Sequence, residues 1–176
     1  FAALSNKTFG DVPFDISATG GASGNPVTFA SITPNVCSVE GAKVSIVGAG
    51  PCTIQASQAG KDPNYEAATA VSQSFTIAKA AQSISFSLSD LPAKTLGDAP
   101  FPIAAASSSG LPVNFFSLNP PTCTVAQNVV TITAAGTCTL RASQSGDGNY
   151  DKAADVERSF NVVSTSAIQL SQPALQ

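Results

Sequence analysis

The chain has 176 residues, a formal net charge of −3, charged side chains at only 11% of positions, and no His, Trp or Met. The absence of His removes the usual imidazole base and the commonest metal ligand, and eight Lys and Arg against eleven Asp and Glu give no basic footprint for nucleic acid. No apolar run approaches the roughly 18 residues that cross a bilayer, and no signal-peptide pattern is present. The first residue is Phe rather than Met, which reads as a processed chain or an excised fragment.

Taken in order, the segments occur twice. "KTFGDVPF" from Lys7 returns as "KTLGDAPF" from Lys94, and Val27-Thr28-Phe29 returns as Val113-Asn114-Phe115. Cys37 and Cys52 return 86 positions later as Cys123 and Cys138, and Asn64-Tyr65 returns 85 later as Asn149-Tyr150. Small loop insertions account for the drift. A period near 86 is too long for a solenoid unit, so each copy should be a whole domain. The expected division is 1–79, 80–165 and a tail or partial strand at 166–176. Copy one begins at Phe1, where the residues that precede the matching Phe86 have no counterpart.

In "CTLRAS", Cys138, Leu140 and Ala142 alternate with Thr139, Arg141 and Ser143, the period-2 pattern of a half-buried strand. "CTIQAS" from Cys52 repeats it, and "NVVTIT" turns Val130 and Ile132 to the apolar side. Gly and Pro clusters punctuate these segments. "NYEAATAVSQ" reads as a loop entering a strand that ends at "SFTI", mirrored by "SFNV". Short strands with turn signals every 8 to 12 residues predict an all-β chain of two tandem immunoglobulin-like β-sandwich domains. Phe14, Phe29 and Phe75, with Phe101, Phe115 and Phe160, are the core candidates. Tyr65 and Tyr150 follow Gly- and Asp-containing loops, where each could bury its ring and send its hydroxyl to a loop carbonyl as a tyrosine corner does.

The stretches "FASITPNVCSVEGAKVSIVGAGPCTIQASQAG" and "FFSLNPPTCTVAQNVVTITAAGTCTLRASQSG" resemble bacterial Ig-like (Big-type) repeats of large surface proteins and adhesins. With "KTFGD…PF" and "NY…SF" added, the resemblance spans nearly the whole chain. It implies a sandwich fold and a spacer or stalk role.

Four cysteines allow three pairings. Each copy owns one pair with 14 intervening residues, so Cys37 with Cys52 and Cys123 with Cys138 is the economical choice. Zinc is disfavoured because neither pair has C-x-x-C spacing and no His completes a site. A catalytic thiol lacks its imidazole partner. Two disulfides imply an oxidising compartment, extracellular or at the cell surface.

Other constellations have simpler readings. Asp147, Asn149 and Asp151 alternate as at the start of a calcium loop, but Arg158 stands where the bidentate Glu would be, and turn chemistry accounts for them. Asp11 and Asp98 sit in "T-x-G-D" turns of different copies. Lys7 and Lys94 precede those turns, and nothing in the sequence supports an isopeptide clamp there. No cofactor, metal or catalytic residue is predicted.

Only Ala78 to Gln82 separates the copies, too short and too poor in Gly and Ser for a flexible linker, which predicts an end-to-end rod. The expected function is a non-enzymatic structural or spacer segment of a bacterial extracellular protein. Its expected partners are neighbouring domains of the same protein or other copies, with a host or surface ligand left open. Two alternatives stand beside it: a filament subunit whose tail, "SAIQLSQPAL", adds as a strand to another copy, and a glycan- or protein-binding module.

Overall fold

A computed structural model of the chain describes residues 1–88 and 94–164. Every regular element among them is a β-strand; the expected tail strand at 166–176 lies outside the described residues. The chain divides into two compact units, Phe1–Ala81 with Gly146–Lys152, and Gln82–Ser145 with the described part of 153–176.

The first unit contains β1 (Lys7–Thr8), β2 (Phe14–Asp15), β3 (Val27–Ser31), β4 (Cys37–Glu40), β5 (Lys43–Ile46), β6 (Gly50–Gln58) and β7 (Val71–Ala78). Its four-stranded sheet has the order β1-β7-β6-β3 and its three-stranded sheet the order β2-β5-β4. The pairings are antiparallel except β1 with β7, where Lys7 lies opposite Ile77. The alternation read in the sequence decides which face is inside. Along β6, Cys52, Ile54, Ala56 and Gln58 are buried while Thr53, Gln55 and Ser57 are only half-buried. Ile16, Cys37, Val44, Cys52, Ile54, Phe75 and Ile77 form one core drawn from both sheets.

The second unit contains β8 (Ile84–Phe86), β9 (Lys94–Thr95), β10 (Phe101–Pro102), β11 (Ala105–Ser107), β12 (Asn114–Ser117), β13 (Cys123–Ala126), β14 (Val129–Ile132), β15 (Gly136–Ser143) and β16 (Val156–Val163). Its sheets repeat the plan, β12-β15-β16-β9 and β10-β14-β13, and a further antiparallel pair joins β8 to β11. Its core gathers Phe86, Phe101, Ile103, Val130, Leu140 and Ala142 around Cys123 and Cys138.

The phenylalanines divide unevenly. Phe75 and Phe101 are buried, while Phe14, Phe29, Phe115 and Phe160 pack half-buried at the core margins. Phe14 meets Phe75 edge-on at 5.7 Å between centroids, and Phe101 meets Phe160 at 5.8 Å. The equivalent pair therefore has its buried member on opposite sheets in the two units.

The division departs from the contiguous one expected from the repeat, because Gly146–Lys152 groups with the first unit. Backbone bonds account for this: Ala80 N donates to Asn149 O at 2.9 Å and Asp151 N donates to Ala80 O at 2.9 Å. The Asn149 side chain adds a third, accepting from Ala49 N at 2.9 Å.

Candidate functional site

The four cysteines form two disulfides, Cys37 with Cys52 and Cys123 with Cys138. In each unit the bond joins the three-stranded sheet, through β4 or β13, to the four-stranded sheet, through β6 or β15. All four cysteines are 0% exposed, and the bonded Cα atoms stand 5.8 Å apart in both units, within the ordinary range. Strand register explains why the sulfurs meet. Cys37 lies opposite Ile46 on the edge strand β4 and Cys52 opposite Phe75 on the internal strand β6, and both are on the buried face of their sheets. Small hydroxyl side chains close the space around the sulfurs: Ser31 Oγ lies 3.4 Å from Cys37 Sγ and Ser117 Oγ lies 3.3 Å from Cys123 Sγ.

The tyrosines part company with the corner expectation. Tyr65 is 46% exposed, and among the described residues neither tyrosine hydroxyl has a hydrogen-bond partner. The backbone does the closing instead: Lys61 N donates to Tyr65 O at 2.8 Å, and Asp147 N donates to Tyr150 O at 3.1 Å. Gly60 and Gly146 lie so close to these tyrosine carbonyls that a Cβ at either would clash with the backbone. With the loop tied through its main chain, the Tyr65 ring is left at the surface. The Tyr150 ring packs edge-on against Phe9 at 5.4 Å within the first unit.

The acidic candidates are turn residues. Asp11 Oδ2 accepts from Thr8 N at 2.9 Å while Asp11 N donates to Thr8 O at 3.0 Å, with Gly10 between them at φ 93°. Asp98, Thr95 and Gly97 reproduce this turn with the same distances and φ 103°. Such φ values require glycine. Asp147 Oδ1 accepts from both Asn149 N and Tyr150 N at 2.8 Å, an Asx-turn arrangement that occupies the carboxylate. Among the described residues, no three His, Cys, Asp or Glu side chains gather as metal ligands would. No helix there is long and apolar enough to cross a membrane.

The lysines beside these turns carry a contact that the sequence did not reveal. Lys7 Nζ lies over the Phe14 ring at 4.7 Å from its centroid, and Lys94 Nζ over the Phe101 ring at 4.1 Å. The only sequence signal is the shared spacing of Lys and Phe in "KTxGDxPF".

No family model matches the chain, and no curated protein matches it. Solved structures similar to it include domains 4–9 of the surface layer protein SbsC, at 19% identity over 89% of this chain, with a TM-score of 0.34. Chicken VE-cadherin EC1-2 is another, at 8% identity over 93% of this chain and 97% of the other, with a TM-score of 0.30. The chain spans 25% of the first of these. Likenesses this distant carry no argument about function.

Proposed function

We propose that the chain is a non-enzymatic structural segment, two tandem immunoglobulin-like sandwiches of a bacterial extracellular surface or adhesin-type protein, acting as a spacer that holds another activity at a distance. The observation that carries this reading is the duplicated, fully buried disulfide that ties one sheet to the other in each unit. Such a bond opposes separation of the two layers and holds the chain between its cysteines closed when the ends are pulled. It also belongs to an oxidising compartment. The acidic side chains Asp11, Asp98 and Asp147 serve turns rather than converging on a substrate, which favours a mechanical role over a catalytic one. Neighbouring copies of the same fold are the partners this reading assigns.

Non-reducing peptide mapping should recover the Cys37–Cys52 and Cys123–Cys138 linkages. Force spectroscopy should then show each oxidised unit releasing about 50 Å less contour length than the reduced unit, the reach of a 15-residue segment at roughly 3.3–3.6 Å per residue. Free thiols, or linkages joining the two copies, would overturn the reading. Specific retention on a glycan array would replace the spacer with a recognition module.

A further inference from the structure

Among the described strands, one pairing in each unit is parallel, and it joins equivalent elements. β1 runs alongside β7 with Lys7 opposite Ile77 and Thr8 opposite Ala78; β9 runs alongside β16 with Lys94 opposite Val162 and Thr95 opposite Val163. A backbone bond extends each pair past the strand end: Phe9 N donates to Ala78 O at 2.9 Å, and Leu96 N donates to Val163 O at 2.8 Å. In the first unit Thr76 N also donates to Asn6 Oδ1 at 2.9 Å. The sequence has Ala93 at the matching place in the second copy. These short strands are pinned on two further sides. Lys7 Nζ and Lys94 Nζ sit over rings of β2 and β10, which belong to the opposite sheet. Asp11 and Asp98 take up the Thr8 and Thr95 amides, so those donors are not offered to another strand.

Strand direction decides how such pairs carry load. Within its sheet, β1 comes first along the chain and β7 last, and the same holds for β9 and β16. When the chain is drawn from both sides, the entering strand is pulled toward its start and the leaving strand toward its end. For parallel neighbours those pulls are opposed along the strand axis, so all the hydrogen bonds between them are loaded together. A turn-connected antiparallel pair such as β4 with β5 has both free ends on one side, and its bonds can open one after another. In the second unit β8 precedes β9, but it pairs with β11 rather than with the last strand.

We infer that the β1–β7 and β9–β16 pairs are shear clamps that set the resistance of each unit to pulling. The disulfides stand outside them, since Cys37–Cys52 joins β4 to β6 and Cys123–Cys138 joins β13 to β15. The clamp therefore governs how long a unit withstands a given force, and the disulfide governs how much chain is released once it yields. Forced opening is controlled by the unfolding rate rather than by equilibrium stability, so a few bonds in the right direction outweigh a larger number placed elsewhere. The inference deepens the spacer reading and rests on it for the tension it supposes.

The test pulls the full-length oxidised chain from its two ends at constant force and times the two opening steps. Leu96→Pro removes the amide that bonds Val163 O, at a position whose side chain is largely exposed. One step should then come about tenfold sooner, the weight of one hydrogen bond, while the other keeps its lifetime. Leu96→Ala retains the amide and should leave both steps unchanged. Leu140→Ala separates the clamp from general stability: it should hasten unfolding in denaturant more than Leu96→Pro does, yet shorten the lifetime under force less. Asn6→Ala should shorten the remaining step about threefold, and Asn6→Asp, which keeps an acceptor, should restore it. Unchanged lifetimes in Leu96→Pro with the Leu140 amide still protected from exchange, equal shortening by Leu96→Ala, or a larger effect of Leu140→Ala under force would each overturn the inference. Should Leu96→Pro unfold its unit, the Asn6 variants decide alone, and no change with Asn6→Ala overturns it. None of these failures alters the disulfide linkages or the absence of glycan retention by which the spacer reading is judged.

Discussion

The two units agree in their interiors and differ at their margins. Both bury a disulfide with the same Cα separation, both tie a Thr amide to an Asp carboxylate at 2.9 Å, and both place a Lys over a Phe ring. Yet among the described residues only the second unit carries the β8–β11 pair, and of the two repeated tyrosines, both grouped with the first unit, Tyr65 stands exposed while Tyr150 packs on Phe9. Features enclosed by both sheets are fixed by the repeat itself. Features at an edge depend on what else reaches that edge, so identical residues there acquire different surroundings.

If the interiors are equivalent, matched substitutions should cost the same in each unit. The largest effect is expected from Ile54→Ala and Leu140→Ala, both 0% exposed. Each should lower its unit's stability by about 2–5 kcal/mol, the transfer loss plus the cavity left behind, measured by chemical denaturation of the oxidised chain. A difference between them beyond about 1 kcal/mol would show that one core relaxes around the gap more readily than the other.

Next in size come the disulfides. Replacing both cysteines of one pair with alanine should remove about 3 kcal/mol from that unit, by the loop-closure account for a loop of this size, seen as one transition moving down in differential scanning calorimetry while its partner stays in place. Coincident movement of both transitions would break the picture of two separate cores.

These interior features were also the legible ones. The alternation of Cys138, Leu140 and Ala142 against Thr139, Arg141 and Ser143 is local, and β15 buries the first set as that period requires. The cysteine spacing is likewise a property of the chain alone. By contrast, the unequal burial of Phe14 and Phe101 depends on how two sheets face each other, which no window of sequence contains. Tyr65 went astray for a related reason: its loop is closed by backbone atoms and a glycine pressed against its carbonyl, so the side chain is not needed for the turn. The grouping of Gly146–Lys152 with the first unit rests on pairing with Ala80, far away in sequence.

A smaller effect is expected at the turns. Asp11→Ala and Asp98→Ala each leave a Thr amide without its carboxylate partner, but at an exposed site where water substitutes. A loss of about 0.5–1.5 kcal/mol per turn is expected, equal in the two units. Asn at either position should recover most of it, since an amide oxygen can accept the same bond. Failure of Asn to rescue would mean that the negative charge, not the acceptor, stabilises the turn.

The smallest expected effect lies in the lysine–phenylalanine contacts, and there the two units should separate. Lys94 Nζ approaches the Phe101 centroid to 4.1 Å, and that ring is 9% exposed; Lys7 stands 4.7 Å from the half-buried Phe14 ring. Lysine lays its aliphatic stem along apolar surface as well as presenting its charge, so alanine would remove both contributions. Methionine keeps most of the stem and removes the charge. Lys94→Met should therefore cost up to about 1 kcal/mol and Lys7→Met about half as much, within the range for such pairs at partly exposed sites. Added salt separates the terms, because screening weakens electrostatic attraction and leaves stem packing unchanged. Negligible losses from both methionine variants, unaffected by salt, would show that the stem and not the ammonium–ring attraction holds these residues in place.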